Sequence, residues 1–281
     1  MRLKQFINEN KRSRSITKKK ALNLIHTKCK DSLYLFKKTG LVIYRGVNSS
    51  SDDFYTISPS KFTRVSANTE NYYTLINDNS PAWRDYPKRS KSVVCTTDHI
   101  MAYKYGTVYA VFPFDNAKIG VCSNEDYWSS FPFLASVIGI DLMLSFNDEL
   151  RNTFNVSIVR KYTGTIDNIK TYSELREKFK KLDEFIKIYD SGTITDIYPD
   201  YEYDKDYKNF IDLLRNQYSI DLFSKYYDFN DTEEYLRYFL DPKLNKFKLK
   251  KVGSELPSDA EVWTDSDCVM IKMEILKNIL L

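Results

Sequence analysis

Glycine is scarce in this 281-residue chain, and its eight residues, at 40, 46, 106, 120, 139, 164, 192 and 253, include no pair spaced for a dinucleotide-binding turn or a phosphate-cradling loop. Rossmann and P-loop chemistry is thereby excluded. Cysteine and histidine are sparse too: Cys29, Cys95, Cys122 and Cys268 form no CxxC, and His26 and His99 stand alone, a pattern that argues against a zinc site. The longest apolar stretch, Phe131 to Phe146, is broken by Ser136 and Asp141 and falls short of the roughly 20 residues that a bilayer span needs. The start MRLKQFINENKRSRS lacks the apolar segment of a signal peptide. These absences predict a soluble, cytoplasmic protein with reduced thiols, no metal and no membrane partner.

Aromatic residues, by contrast, are abundant, with 22 Tyr, 17 Phe and 3 Trp, and 42% of the chain is apolar, so its length supports a real core. The net charge of +4 hides an asymmetry. Residues 1–38 carry twelve Lys or Arg against Glu9 and Asp31, and the remainder is net acidic. A basic arm on an acidic body suits a polyanionic partner, nucleic acid included, or an acidic protein surface, or else is a solvated lysine-rich helix face.

Apolar residues at helical spacing predict one or two helices over 15–38, capped by Ser15 or Thr17 and stopped at Gly40, with His26 on the apolar side. LVIYRG reads as a strand whose end presents Arg45, and 48–89 as a long ordered loop with one helical turn. SVVCTT (92–97), TVYAVFPF (107–114) and IGVC (119–122) read as strands, with Asp98 capping a short helix ended by Gly106. Cys122 and Cys268 lie in apolar strands and read as packing residues, and His99 as a surface residue at a helix start. From Ser123 to Lys250 the spacing is mainly helical, with a possible hairpin at 154–165 and a surface loop from Asp190 to Tyr207. AEVWT and CVMIKMEIL then read as a pair of strands about Asp265-Ser266-Asp267.

The string YRG at 44–46, the strand end Cys95-Thr96-Thr97 followed by a short helix and VYAVFPFDNAKIGVC, and finally AEVWTDSDCVMI resemble the ADP-ribosyltransferase family. The likeness is to the branch built on an arginine, a Ser-Thr-Ser strand and a glutamate turn. It covers about 41–122 and 251–281, and RVSANTENYYT with YPKRSKSVVCTT looks like uncharacterised phage-encoded members. The resemblance implies an α+β fold, a split β-sandwich holding NAD between its sheets, with 1–40 as a basic helical segment, 41–122 and 251–281 as the core, and 123–250 as a helical insertion.

It also implies roles. Arg45 would bind the NAD diphosphate, Cys95, Thr96 and Thr97 would form the Ser-Thr-Ser strand, Glu261 would be the catalytic glutamate, and Asp259 would stand where arginine-modifying members have a second one. Cys95 is a weaker donor than serine, and Asp259 is one methylene shorter than glutamate. Tyr72, Tyr73 and Trp83 are candidates for an aromatic wall against nicotinamide, core packing being the commoner fate of such rings, and Arg64, Asn68 and Thr69 are candidate donors.

The chemistry fits these residue types. Loss of nicotinamide leaves positive charge on the ribose, which a carboxylate stabilises, and a guanidinium engages two phosphate oxygens at once. The expected activity is mono-ADP-ribosyl transfer from NAD to an intracellular protein, at arginine. An NAD glycohydrolase on the same scaffold and a non-catalytic nucleic-acid-binding or virion-associated protein are the alternatives.

Overall fold

The structure, a computed structural model, describes residues 13–48, 52–64, 72–133, 150–155, 157–190 and 229–280. The chain divides into two compact units, Met1–Asn68 with Trp83–Ser130 and Lys246–Leu281, and Thr69–Ala82 with Phe131–Asn245. The first unit runs β1 (Ser13–Ser15), α1 (Lys18–Lys28), α2 (Lys30–Thr39), β2 (Ile43–Val47), β3 (Phe54–Ile57), β4 (Val93–Thr96), α3 (His99–Tyr103), β5 (Thr107–Pro113) and β6 (Lys118–Val121). It closes with β7 (Lys248–Lys251), β8 (Glu261–Thr264), β9 (Cys268–Lys272) and α4 (Met273–Leu280).

The strands form an antiparallel nine-stranded sheet in the order β1-β3-β9-β5-β2-β4-β8-β6-β7, so the protein is of mixed α+β class. β2 pairs with β5 along its whole length but meets β4 through the single pair Tyr44 and Thr96. Side chains from both sides of this seam, Ile43, Tyr109 and Met270 with Val93, Val121 and Val262, pack into one core. A second core covers the opposite face of the β3–β9–β5 strands. There Ile25 of α1, Phe36 of α2 and Leu276 of α4 close over Phe112 and Ile271, each buried side chain contributing about 1.5–3 kcal/mol.

Local chemistry sets the helix ends. The Thr17 hydroxyl accepts from Lys20 N at 3.3 Å to start α1, and Gly40, at φ +73°, donates to Phe36 O at 2.7 Å to end α2. Lys18, Lys19, Lys20, Lys28, Lys30, Lys37 and Lys38 are exposed, so the cationic character of this segment is the outer face of helices whose apolar stripes lie on the sheet. α3 lies against β2, where a Cβ on Gly46 would stand 2.0 Å from Ala102 O.

The second unit contains helices Tyr72–Asn79, Ser157–Thr163, Tyr172–Asp190 and Thr232–Phe239. The long one buries Leu175, Phe179, Leu182 and Phe185 at helical spacing. Asp231 caps the last, accepting from Glu234 N at 2.7 Å. Among the described residues no helix is long and apolar enough to cross a membrane.

Several sequence expectations are corrected. β2 continues through Gly46 to Val47, so Arg45 sits inside an interior strand and not at a strand end. Segment 48–89 holds β3 and the Tyr72–Asn79 helix as well as loop. The 154–165 stretch is helical over Ser157–Thr163, closed by Gly164 N donating to Arg160 O at 2.8 Å, where a hairpin was expected. Strand β9 stops at Lys272 and the MEIL sequence begins α4; β8 and β9 pair with other strands and not with each other. His26 is exposed, in the last turn of α1. Residues 1–12 of the basic arm, Asn68, Thr69 and the loop after Asp190 up to Tyr207 lie outside the described residues.

Candidate functional site

The strands bearing YRG, Cys95-Thr96-Thr97 and Glu261 are sheet neighbours, β2, β4 and β8. Thr96 stands directly opposite both Tyr44 and Glu261, so these three side chains share a face. Just past the strand, Thr97 binds the residue before the glutamate twice: Thr97 N donates to Ala260 O and Ala260 N donates to Thr97 Oγ1, each at 3.0 Å. Those bonds fix the turn that presents Glu261. The Thr96 hydroxyl accepts from Asp98 N at 3.0 Å, and Asp98 caps α3 by accepting from Ile100 N at 2.7 Å.

Glu261 is held from the other side by Arg89, whose Nη2 donates to Glu261 Oε1 in an ion pair. Arg89 is only 4% exposed. Its guanidinium carbon lies 4.2 Å from the ring centre of Tyr127 and 5.3 Å from that of Trp263, within cation–π range of both. Trp263 in turn rests on Gly120, where a Cβ would come within 2.3 Å of the indole, and its Nε1 donates to Pro87 O at 2.9 Å. Trp83, Tyr86 and Phe247 complete this aromatic floor. The second carboxylate oxygen of Glu261 makes no hydrogen bond among the described residues.

Beside the pair lies a polar cavity of about 570 Å³, a size ordinary for ligand sites. Cys122, Asn124, Ser129, Lys246, Lys248 and Asp259 contribute to its wall. Cys122 N donates to Glu261 O at 2.9 Å, and Ala260 also lines the cavity, so a cross-strand neighbour and the preceding residue of Glu261 reach its wall while Glu261 itself does not. Lys246 and Lys248 make no ion pair among the described residues. Asp259 is exposed, with φ +56°, a left-handed conformation that aspartate tolerates better than most residues. Burial pushes the Cys122 thiol well above its usual pKa, the Glu261 charge adds to this and Arg89 opposes it. A thiol so placed stays protonated and is no nucleophile.

The other expected site residues fall elsewhere. By strand alternation Arg45 shares its face with Ile43, Val47 and Cys95, opposite to that of Thr96 and Glu261. Its guanidinium donates to Val94 O, and it lines a small pocket with Ile57, Phe62, Ser90 and Ser92, away from the 570 Å³ cavity. Cys95 is in the core. Tyr73 is buried in the second unit, as is Tyr72, which donates to Ile166 O at 3.1 Å. Arg64 N donates to Ser90 O at 2.6 Å, and exposed His99 packs edge-on to Tyr44. The structure therefore brings together Thr96, Thr97, Asp259 and Glu261, and leaves Arg45, Cys95 and Tyr73 outside that group.

No family model, curated protein or solved structure matches the chain. Among the described residues no group of three or more His, Cys, Asp or Glu is placed to hold a metal. Sequence reasoning missed Arg89, Lys246 and Lys248. The only signal for Arg89 was its place in YPKRSKS, just ahead of the Cys95-Thr96-Thr97 strand; for the lysines it was the alternation in NKFKLKK.

Proposed function

We propose that the chain is an NAD-dependent mono-ADP-ribosyltransferase acting on a protein, at arginine, with Glu261 as its central carboxylate. The observation that carries this reading is Thr96 directly opposite Glu261 on neighbouring strands, with the arginine-bearing strand on the other flank. Three segments far apart in sequence meet as neighbouring strands of one sheet. The shared core on both sides of the β2–β4 seam supports a split-sandwich arrangement.

The polar cavity accommodates such a substrate in size and in donors. Lys246 and Lys248 are the cations that line it, and we assign them the diphosphate. Arg45 takes a different part from the one the resemblance gives it, tying β2 to Val94 at the seam. The nicotinamide of NAD is bound as a cationic pyridinium and departs as a neutral molecule, so its positive charge is left on the ribose. Glu261, acceptor-only when ionised and with one oxygen uncommitted, stabilises that charge. Thr97 keeps the turn in register, and Asp259, exposed on the cavity rim, accepts a proton from the incoming acceptor nitrogen.

Water in place of that acceptor would give free ADP-ribose from the same residues. Incubation with adenine-labelled NAD and a cell extract separates the outcomes. Label on protein supports transfer, free ADP-ribose alone means hydrolysis, and intact NAD with salt-sensitive nucleic-acid binding favours the non-catalytic alternative. Under the transfer reading, Asp259→Asn lowers protein labelling more than it lowers release of nicotinamide.

A further inference from the structure

Arg89 is absent from the roles above, yet it is the cation that meets Glu261. We infer that Arg89 is a positioning residue for the proposed reaction, holding the Glu261 carboxylate in one rotamer so that its second oxygen is turned toward the ribose. The inference rests on the NAD reading and adds to it a residue that the family resemblance does not supply.

The placement of Arg89 is over-determined. Ser92 Oγ donates to Arg89 O at 2.9 Å, Lys88 N to Asp265 Oδ2 at 3.3 Å and Trp263 Nε1 to Pro87 O at 2.9 Å, so the turn before β4 is stitched to β8 and to the Asp265 turn beyond it. Tyr127 and Trp263 confine the guanidinium. A guanidinium does not shed its proton, so at 4% exposure it requires an anion, and Glu261 provides one. The constraint acts in both directions, since a carboxylate bonded to a fixed guanidinium is itself held in place. Neither Arg89 nor Glu261 is part of the cavity wall, which Asp259 and Ala260 reach, so Arg89 acts on the glutamate beside the cavity and not on the substrate.

The test uses R89A, R89K, E261Q and the double variant R89A/E261Q in the full chain, with methylguanidinium as a soluble replacement for the lost side chain. For R89A, kcat falls about 100-fold or more while KM for NAD stays within about threefold, and the double variant is no slower than E261Q alone. Millimolar methylguanidinium restores R89A turnover by about tenfold or more, a rescue that a merely structural role would not show. The ligand also changes the tryptophan fluorescence of R89A saturably, and this response is lost in R89A/E261Q.

A raised KM with kcat retained, a double variant slowed by the product of the two single effects, or absence of both rescue and saturable binding overturns the inference. Should wild-type protein leave NAD intact, the reaction itself is refuted, and the fluorescence titration alone decides whether Arg89 holds Glu261. Should R89A fail to fold, R89K decides: lowered kcat at unchanged KM supports the inference, and unchanged kcat overturns it.

Discussion

Arg89 and Glu261 are 172 positions apart in the chain and meet as an ion pair above the ring of Tyr127. The strand carrying Glu261 and the turn carrying Arg89 both flank β4, which makes this pair the lock between the two segments. Its two side chains are 5% and 16% exposed, so each charge relies on the other more than on water.

Removing one partner is therefore costly. Glu261→Ala removes the carboxylate that pairs with the buried guanidinium and is expected to destabilise the first unit by about 3–5 kcal/mol in denaturant unfolding. Glu261→Gln keeps a carbonyl oxygen for Arg89 Nη2 and loses less. Equal stability of the alanine variant and wild type would show that the pair adds nothing to the fold.

Gly120→Ala tests the floor beneath the pair. The added methyl would meet the Trp263 ring at 2.3 Å, so the indole must move and carry the Arg89 platform with it. Overpacking of this kind costs about 1–3 kcal/mol. The check is urea unfolding with tryptophan emission; an unchanged midpoint would mean that the ring is not seated on Gly120.

Strands and helices were legible where apolar spacing stood between clear turn signals. VVCT, VYAVFP and EVWT are buried runs bounded by serine, glycine or aspartate, and they form β4, β5 and β8. FYTI was hidden in a polar segment, and KLKK defeats any apolar pattern because it is the outermost strand, exposed and charged as free sheet edges commonly are. SIVRKYT alternates enough to suggest a strand, yet in the second unit it is helical and ended by Gly164. Thr96, Thr97, Asp259 and Glu261 were singled out by the family resemblance, and they lie at or beside the ends of the neighbouring strands β4 and β8. Arg45 lies on the other face because the face of a strand residue turns on a one-residue register, which no spacing along a single strand reveals. Arg89 was missed because its partner is fixed only by tertiary structure.

Alkaline pH should loosen the fold. Burial, followed by the nearby Asp115 charge, raises the Cys29 thiol from 9.0 to about 12, and burial drives Cys122 and Cys268 well above 9.0. A thiol is neutral when protonated, so above about pH 9 the unfolded chain releases protons that the folded chain keeps. Stability from these groups is complete below that pH and declines as pH climbs toward 12. All four cysteines are free and buried, so native protein at about pH 8.5 should resist a thiol reagent that labels every cysteine after unfolding. Rapid labelling of the native form would contradict their burial.

Lys246→Gln with Lys248→Gln should weaken NAD capture without touching the core, since both residues lie on the cavity wall and neither is in an ion pair among the described residues. Removing the two charges assigned to the diphosphate should raise KM by roughly 10- to 100-fold and flatten its salt dependence. The melting temperature should stay within about 2 °C of wild type. An unchanged KM would place the diphosphate elsewhere.

The most direct measurement follows nicotinamide release from labelled NAD by wild type and Glu261→Gln side by side, with NAD binding to each measured by calorimetry. The account predicts release by wild type, a rate at least about 100-fold lower for the variant, and comparable binding by both. Release by the variant at the wild-type rate, or none by wild type that binds NAD, would contradict it.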